Sequence, residues 1–209
     1  MPSRLLPALL LSLLMAMGFG TAAGAMTFGA PTATGVCAAR TCILATGDID
    51  ETSSAALEAY LKTNKVAAGS LVILDSPGGD VAESLALGNL IRSARLDTMV
   101  AAYDAGKSQF KAGSCASDCA YAFLGGVRRN VGKGSRIGVH QIISAGQDWA
   151  LSVQDGMAAM STIAVHVRHL CGSLDVLIPA LKTHANQMYW LSSSELSRFA
   201  IVTSATADA

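Results

Sequence analysis

Ser117 lies in the run Gly113-Ser114-Cys115-Ala116-Ser117-Asp118-Cys119-Ala120, with Ser76-Pro77-Gly78-Gly79 upstream and Ser135-Arg136-Ile137-Gly138-Val139-His140-Gln141 downstream. A hydroxyl becomes a nucleophile at neutral pH only when a base takes its proton, and the charge that develops on an attacked carbonyl needs fixed backbone donors. Ser117 is the candidate nucleophile, His140 the candidate base through a neutral imidazole, and the amides of Gly79 and Asp118 the candidate donors. Only N–H is required of Asp118, so its carboxylate has to point away from the developing charge. Each residue also has a structural use. Serine at a helix start is a common N-cap, with an acid beside it favouring the helix's positive end. Two glycines after a strand make a turn, and a histidine at a strand end can simply be hydrogen-bonded. Lys111 and Lys133 are rival bases, but glycine and polar neighbours put both in exposed loops, where lysine keeps its proton.

The elements that must position these residues follow from periodicity. A strand is expected over 41–45, a turn at Gly47-Asp48, and a helix over 52–62, where Ala56, Leu57, Tyr60 and Leu61 recur at helical spacing. Leu71-Val72-Ile73-Leu74 is all apolar and suits a strand covered on both faces. Leu85, Leu87, Leu90 and Ile91 mark a helix over 81–95. A strand at 98–102, a helix at 117–124, strands at 128–131 and 137–140, and helices at 150–171 and 174–183 complete the pattern. Alternating strands and helices with short connections indicate one α/β domain.

The ordered segments resemble the Clp protease proteolytic subunit and its relatives in the ClpP/crotonase superfamily. There a strand ends in Ser-Pro-Gly-Gly, the nucleophile follows a Gly-x-Ala-x-Ser type of sequence, and the base lies in Ser-Arg-x-x-x-His-Gln. Ile43-Leu44-Ala45-Thr46-Gly47-Asp48-Ile49 is similar to the family's first strand and turn. Trp190-Leu191-Ser192-Ser193-Ser194-Glu195-Leu196 and Phe199-Ala200-Ile201-Val202 are similar to its C-terminal end, so the likeness spans roughly residues 42–203. The resemblance implies the family's repeated β-β-α superhelix in a single domain. It implies a serine endopeptidase with Ser117 as nucleophile, His140 as base, Gly79 and Asp118 as oxyanion hole, and Ser76, Pro77 and Gly78 against the substrate.

The chain departs from the family at the third catalytic member, since residues 183–191 contain no carboxylate. Asn186 is the first substitute, because an amide can hold an imidazole, followed by His184 and Asp175. Ile142 stands where the family has proline after His-Gln. The implied partners are peptide or unfolded protein substrates, and a homo-oligomer built through 150–183. A catalytically inactive peptide-binding protein that pairs an added strand beside residues 76–79 and a crotonase-like acyl-thioester enzyme are the rival readings.

The 209 residues are 51% hydrophobic and 14% charged with zero formal net charge, so no basic face invites nucleic acid. No Gly-x-x-x-x-Gly-Lys-Ser/Thr loop and no Cys-x-x-Cys pair with matching histidines is present, so neither a nucleotide nor a metal cofactor is expected. Residues 1–25 carry Arg4, an apolar run over 5–17 and a close at Ala23-Gly24-Ala25, the layout of a secretory signal cleaved before Met26. That run is shorter than the ~20 residues of a spanning helix. Export to the periplasm follows, where an ATPase partner is not expected. Residues 26–40 read as a mobile lead-in to a hydrolase domain over 41–209. Of five cysteines, Cys37 and Cys42 are expected to close a small loop. Cys115 and Cys119 bracket Ser117, as redox control of the nucleophile's turn, as buried thiols, or with one of them bonded to Cys171.

Overall fold

In the computed structural model of the protein, which describes residues 24–142, 149–171 and 173–203, Leu71, Val72, Ile73 and Leu74 are at most 1% exposed. They form the middle of a five-stranded sheet, as an uninterrupted apolar run predicts. The signal segment expected over 1–25 lies outside the described residues as far as residue 23.

The elements run in chain order as β1 (Thr27–Gly29), a 3-10 turn (Gly35–Cys37), β2 (Cys42–Thr46), α1 (Ser53–Thr63), β3 (Leu71–Asp75), α2 (Val81–Ser93) and β4 (Asp97–Val100). There follow β5 (Ala102–Asp104), β6 (Gln109–Lys111), β7 (Ser114–Ala116), α3 (Cys119–Phe123), β8 (Arg129–Val131) and β9 (Arg136–Val139). The chain continues through α4 (Trp149–Leu170), α5 (Leu177–Lys182), β10 (Tyr189–Trp190) and α6 (Ser193–Arg198). The main sheet has the order β1-β2-β3-β4-β8, parallel except for β1. A second sheet has the order β10-β9-β7, with β7 and β9 parallel, and β5 and β6 form a hairpin. This is a mixed α/β single domain.

Alternation along β3 divides the interior in two. Val72 and Leu74 enter the main core under α1, α2 and α3, while Leu71 and Ile73 join a smaller cluster with Cys37, Cys42, Met99 and Ala101. Val36 and Phe110 close over that cluster. The segment expected as a mobile lead-in is therefore structured: β1 pairs with β2, and a disulfide joins Cys37 to Cys42 as the spacing suggested. α2 starts at Asp80, whose side chain accepts the Glu83 amide at 2.8 Å. Across the helices, Gly88 permits a close approach: a Cβ there would lie 2.9 Å from both the Tyr121 carbonyl oxygen and His166 Nε2. His166 is thereby a packed structural histidine, with Nε2 3.1 Å from the same carbonyl.

Asp97, 2% exposed at the start of β4, ties three segments together. It accepts from Arg40 Nη2 at 2.6 Å and from the Arg128 amide and Nε at 3.0 and 2.9 Å. Arg40 also donates to the Gly69 carbonyl. Burial pushes the Asp97 carboxyl up, but the hydrogen bonds from Arg128 and Arg40 outweigh it and hold the group below its usual 3.8. A depressed carboxylate stabilises the fold above the unfolded-state value, and the contribution is lost as pH falls through the lower folded-state one. Asp97→Asn is expected to lower the unfolding free energy by about 1–3 kcal/mol at neutral pH, because the largely buried Arg40 loses its counter-charge while the exposed Arg128 returns to water. Urea titrations should show the gap between variant and wild type closing as pH drops below 3.8.

Candidate active site

β3 delivers Asp75-Ser76-Pro77-Gly78-Gly79 to the end of β7. The Ser76 amide donates to the Ser114 carbonyl at 2.8 Å, the Ala116 amide donates to the Ser76 carbonyl at 3.0 Å, and Asp75 Oδ1 accepts the Ser114 amide at 2.9 Å. On its other side this loop is bound to Ile49, whose amide donates to the Gly78 carbonyl and whose carbonyl accepts the Asp80 amide, both at 2.8 Å. Gly78, at φ +102°, is pressed so tightly against the serine turn that a Cβ would lie 2.7 Å from the Ala116 oxygen and 2.8 Å from Ser117 Cβ. Gly79 has φ +147°, and a Cβ there would meet the Ile49 oxygen. Glycine is required at both positions. The Gly78 amide is taken up by Ser76 Oγ at 3.1 Å, whereas among the described residues neither the Gly79 nor the Asp118 amide donates to a backbone carbonyl.

Ser117 adopts φ +54°, an uncommon conformation for a residue with a side chain. Its amide donates to the Gly138 carbonyl at 2.9 Å, which fastens the turn to β9. The helix expected from 117 starts two residues later, at Cys119, with Asp118 in the N-cap position and no side-chain cap. Ser117 is therefore not the cap that its local sequence allowed. The Ser117 hydroxyl instead donates to Asp118 Oδ2 at 3.3 Å.

A disulfide joins Cys115 to Cys119 and closes a ring around Ser117 and Asp118, while Cys171 is free. This corrects the expected alternatives of buried thiols or a bond from one of the pair to Cys171. A separation of four residues suits successive turns of a helix as well as a ring, and only the left-handed backbone at Ser117 distinguishes them. Both bonded sulfurs belong to fully buried residues. The two disulfides suit an oxidising compartment.

His140 follows β9 directly. β7 and β9 are parallel, with Ala116 opposite Gly138, so Asp118 and His140 each lie two residues beyond the last ladder pair at the same sheet end. His140 Nδ1 is 2.7 Å from the Gln141 carbonyl oxygen. A carbonyl only accepts, so Nδ1 carries the hydrogen and the neutral ring keeps its lone pair on Nε2, the tautomer a base needs. Gln141 is anchored in turn: its amide donates to the Thr183 carbonyl at 2.9 Å and its side chain to the Leu181 carbonyl at 2.6 Å. The orienting group beside the imidazole is thus a main-chain carbonyl, which no side-chain motif could reveal. Asn186, His184 and Asp175, the expected candidates for that role, are all exposed. Lys111 and Lys133 are exposed as expected.

Asp118 is the feature that sequence reasoning treated least well. Expected to point away, its carboxyl is instead 8% exposed and bonded to the serine hydroxyl. Burial lifts it to about 6, against the lowering effects of the Ser117 hydrogen bond, the nearby His140 and its own amide, while Asp80 pushes it up further. A carboxyl raised on folding adds stability that is complete below its unfolded value near 3.8 and lost as pH rises through about 6. Asp118→Asn removes that buried charge with little change of shape. It is expected to raise the unfolding free energy by about 1–3 kcal/mol at about pH 8, with the gain vanishing below about pH 4, as read from denaturant midpoints across pH.

No family model matches the chain, and no curated protein matches it. Among solved structures it is similar to a point mutant of ClpP1 from Listeria monocytogenes, with a TM-score of 0.55 and 16% sequence identity over 74% of this chain and 84% of that one. The chain has a ClpP-like fold.

Proposed function

We propose that this chain is an exported, periplasmic serine peptidase of the ClpP/crotonase kind, with the superfamily's repeated β-β-α superhelix, cleaving peptide bonds through an acyl-enzyme on Ser117. The observation that carries this reading is the convergence of a left-handed serine turn, a glycine loop packed on that turn, and a histidine whose lone pair is held on Nε2. In the first half-reaction the Ser117 proton passes to His140 Nε2 while Oγ bonds to the substrate carbonyl carbon, and the Gly79 and Asp118 amides receive the oxyanion. The imidazolium then protonates the departing amine, and water repeats the sequence in reverse to release the acid.

Ser76, Pro77 and Gly78 border the substrate. No ATPase is part of this scheme, so substrates are short or already unfolded. Exposed Met157 and Val165 on α4 with Ile178 and Leu181 on α5 offer an apolar surface for a homo-oligomer. The alternative, an inactive peptide-binding relative, is favoured by one observation: the Ser117 hydroxyl is donated to Asp118.

A fluorophosphonate probe separates the two. Wild type is expected to take one label, located on Ser117 by peptide mass spectrometry. Ser117→Ala should take none, and His140→Ala should react about 10²–10⁴-fold more slowly. Label that persists in Ser117→Ala would exclude the assigned nucleophile, and an unreactive wild type would favour the binding protein.

A further inference from the structure

Two acids are buried among the described residues, and they are treated oppositely. Asp97 is surrounded by Arg40 and Arg128. Asp118 has no arginine or lysine paired with it among the described residues. Nor does it serve the local fold, since it occupies the N-cap position of α3 without capping it. A carboxylate out of water without a cation or a cap is costly to the fold. Its hydrogen-bond partner is the Ser117 hydroxyl, and the charged or titratable groups that face it are His140 from the end of β9, Asp80 from the start of α2, and Tyr121 on α3. His140 attracts the carboxylate and Asp80 repels it.

We propose that Asp118 is the catalytic carboxylate of this site, supplied by the residue beside the nucleophile in place of the acid missing from 183–191. The inference rests on the hydrolase reading of Ser117 and His140. In the resting state Asp118 accepts the hydroxyl hydrogen and fixes the Ser117 rotamer. During attack the proton leaves Oγ for His140 Nε2, the new Oγ–C bond forms, and the carbonyl π pair moves onto oxygen. Asp118 then has no hydroxyl hydrogen to accept, and its negative charge faces the imidazolium until that proton passes to the leaving nitrogen. Asp118 stays ionised throughout, its charge set against the imidazolium, while the oxyanion, which it repels, is held by the Gly79 and Asp118 amides. Orientation of the imidazole and compensation of its charge are thus divided between the Gln141 carbonyl and Asp118, two duties that one carboxylate performs in a Ser-His-Asp triad.

Because the ionised form is required, reactivity should fall off as pH drops through about 6, where Asp118 takes up its proton. The test measures fluorophosphonate labelling rates from about pH 5 to about pH 9, alongside thermal unfolding, for wild type, Asp118→Asn, Asp118→Ala and Ser117→Ala. Asp118→Asn is expected to label at least about 10-fold more slowly at about pH 8 and to melt no lower than wild type. Asp118→Ala should show the same loss of rate. A labelled wild type matched within about twofold by Asp118→Asn at about pH 8 overturns the role of Asp118 and leaves the hydrolase reading intact. Variants that melt well below wild type would make Asp118 a structural residue and overturn the proposal. A wild type that takes no label removes the hydrolase reading and this inference with it.

Discussion

The approach of the Gly78 backbone to the Ser117 turn is the constraint on which the site depends. At that distance no side chain fits between the loop after β3 and the turn after β7, which are joined by main-chain hydrogen bonds, by the Asp75 carboxylate on the Ser114 amide and by the Cys115–Cys119 ring. Ile49 grips the loop from one side, and the Ser76–Cys115 bridge from the other. Hydrogen bonds of 2.8–3.0 Å tolerate little displacement. The amides of Gly79 and Asp118, which donate to no backbone carbonyl among the described residues, belong to this junction. The parallel pairing of β7 with β9 then brings His140 to the same edge. In parallel sheets the loops that follow the strands gather at one end, and this chain gathers three of them.

A turn in the left-handed region costs roughly 1 kcal/mol for a residue with a Cβ, and it holds only where the surroundings leave no better choice. Here the Cys115–Cys119 ring, the Gly138 carbonyl and the pressing glycine loop supply that confinement together. The second disulfide acts elsewhere, closing the 3-10 turn over the small cluster on the far face of β3. That cluster is why the N-terminal segment is ordered: Leu71, Ile73 and Met99 would otherwise face water.

Much of this was legible in the sequence wherever pattern and structure share a period. The run at 71–74, the spacing of Leu85 to Ile91, and the Cys37–Cys42 loop each specify their own local outcome. The strand expected over 98–102 is instead two, β4 and β5, because the chain leaves the main sheet after Val100 to begin a hairpin. β6 and β7 are three residues each, too short to carry a periodic signal. Ser117, His140 and the glycines could be named as candidates from the sequence because their identities are the chemistry, and the fold brings their segments to one sheet end. It was unreadable for the Gln141 carbonyl, since every residue has one. It was misread at Asp118, where adjacency to developing charge suggested exclusion and only the fold decides which way the carboxyl turns.

The contrast between the two buried acids bears on function more than any single distance. Asp97, at 2% exposure, is pulled below the usual carboxylate value by arginines from the segments that lead into β2 and β8. Asp118, at 8%, is pushed above it and left beside a hydroxyl and an imidazole. This fold evidently can neutralise a buried carboxylate, and it does so where the carboxylate serves the architecture. At residue 118 an asparagine would keep the hydrogen bond to Ser117 without the burden of a desolvated charge, and a groove that only bound peptides would lose nothing by the exchange. What an asparagine cannot supply is negative charge opposite an imidazolium, and the proposed reaction creates an imidazolium each time the serine gives up its proton. In the proposed hydrolase that charge has a use, which peptide binding alone does not ask of it.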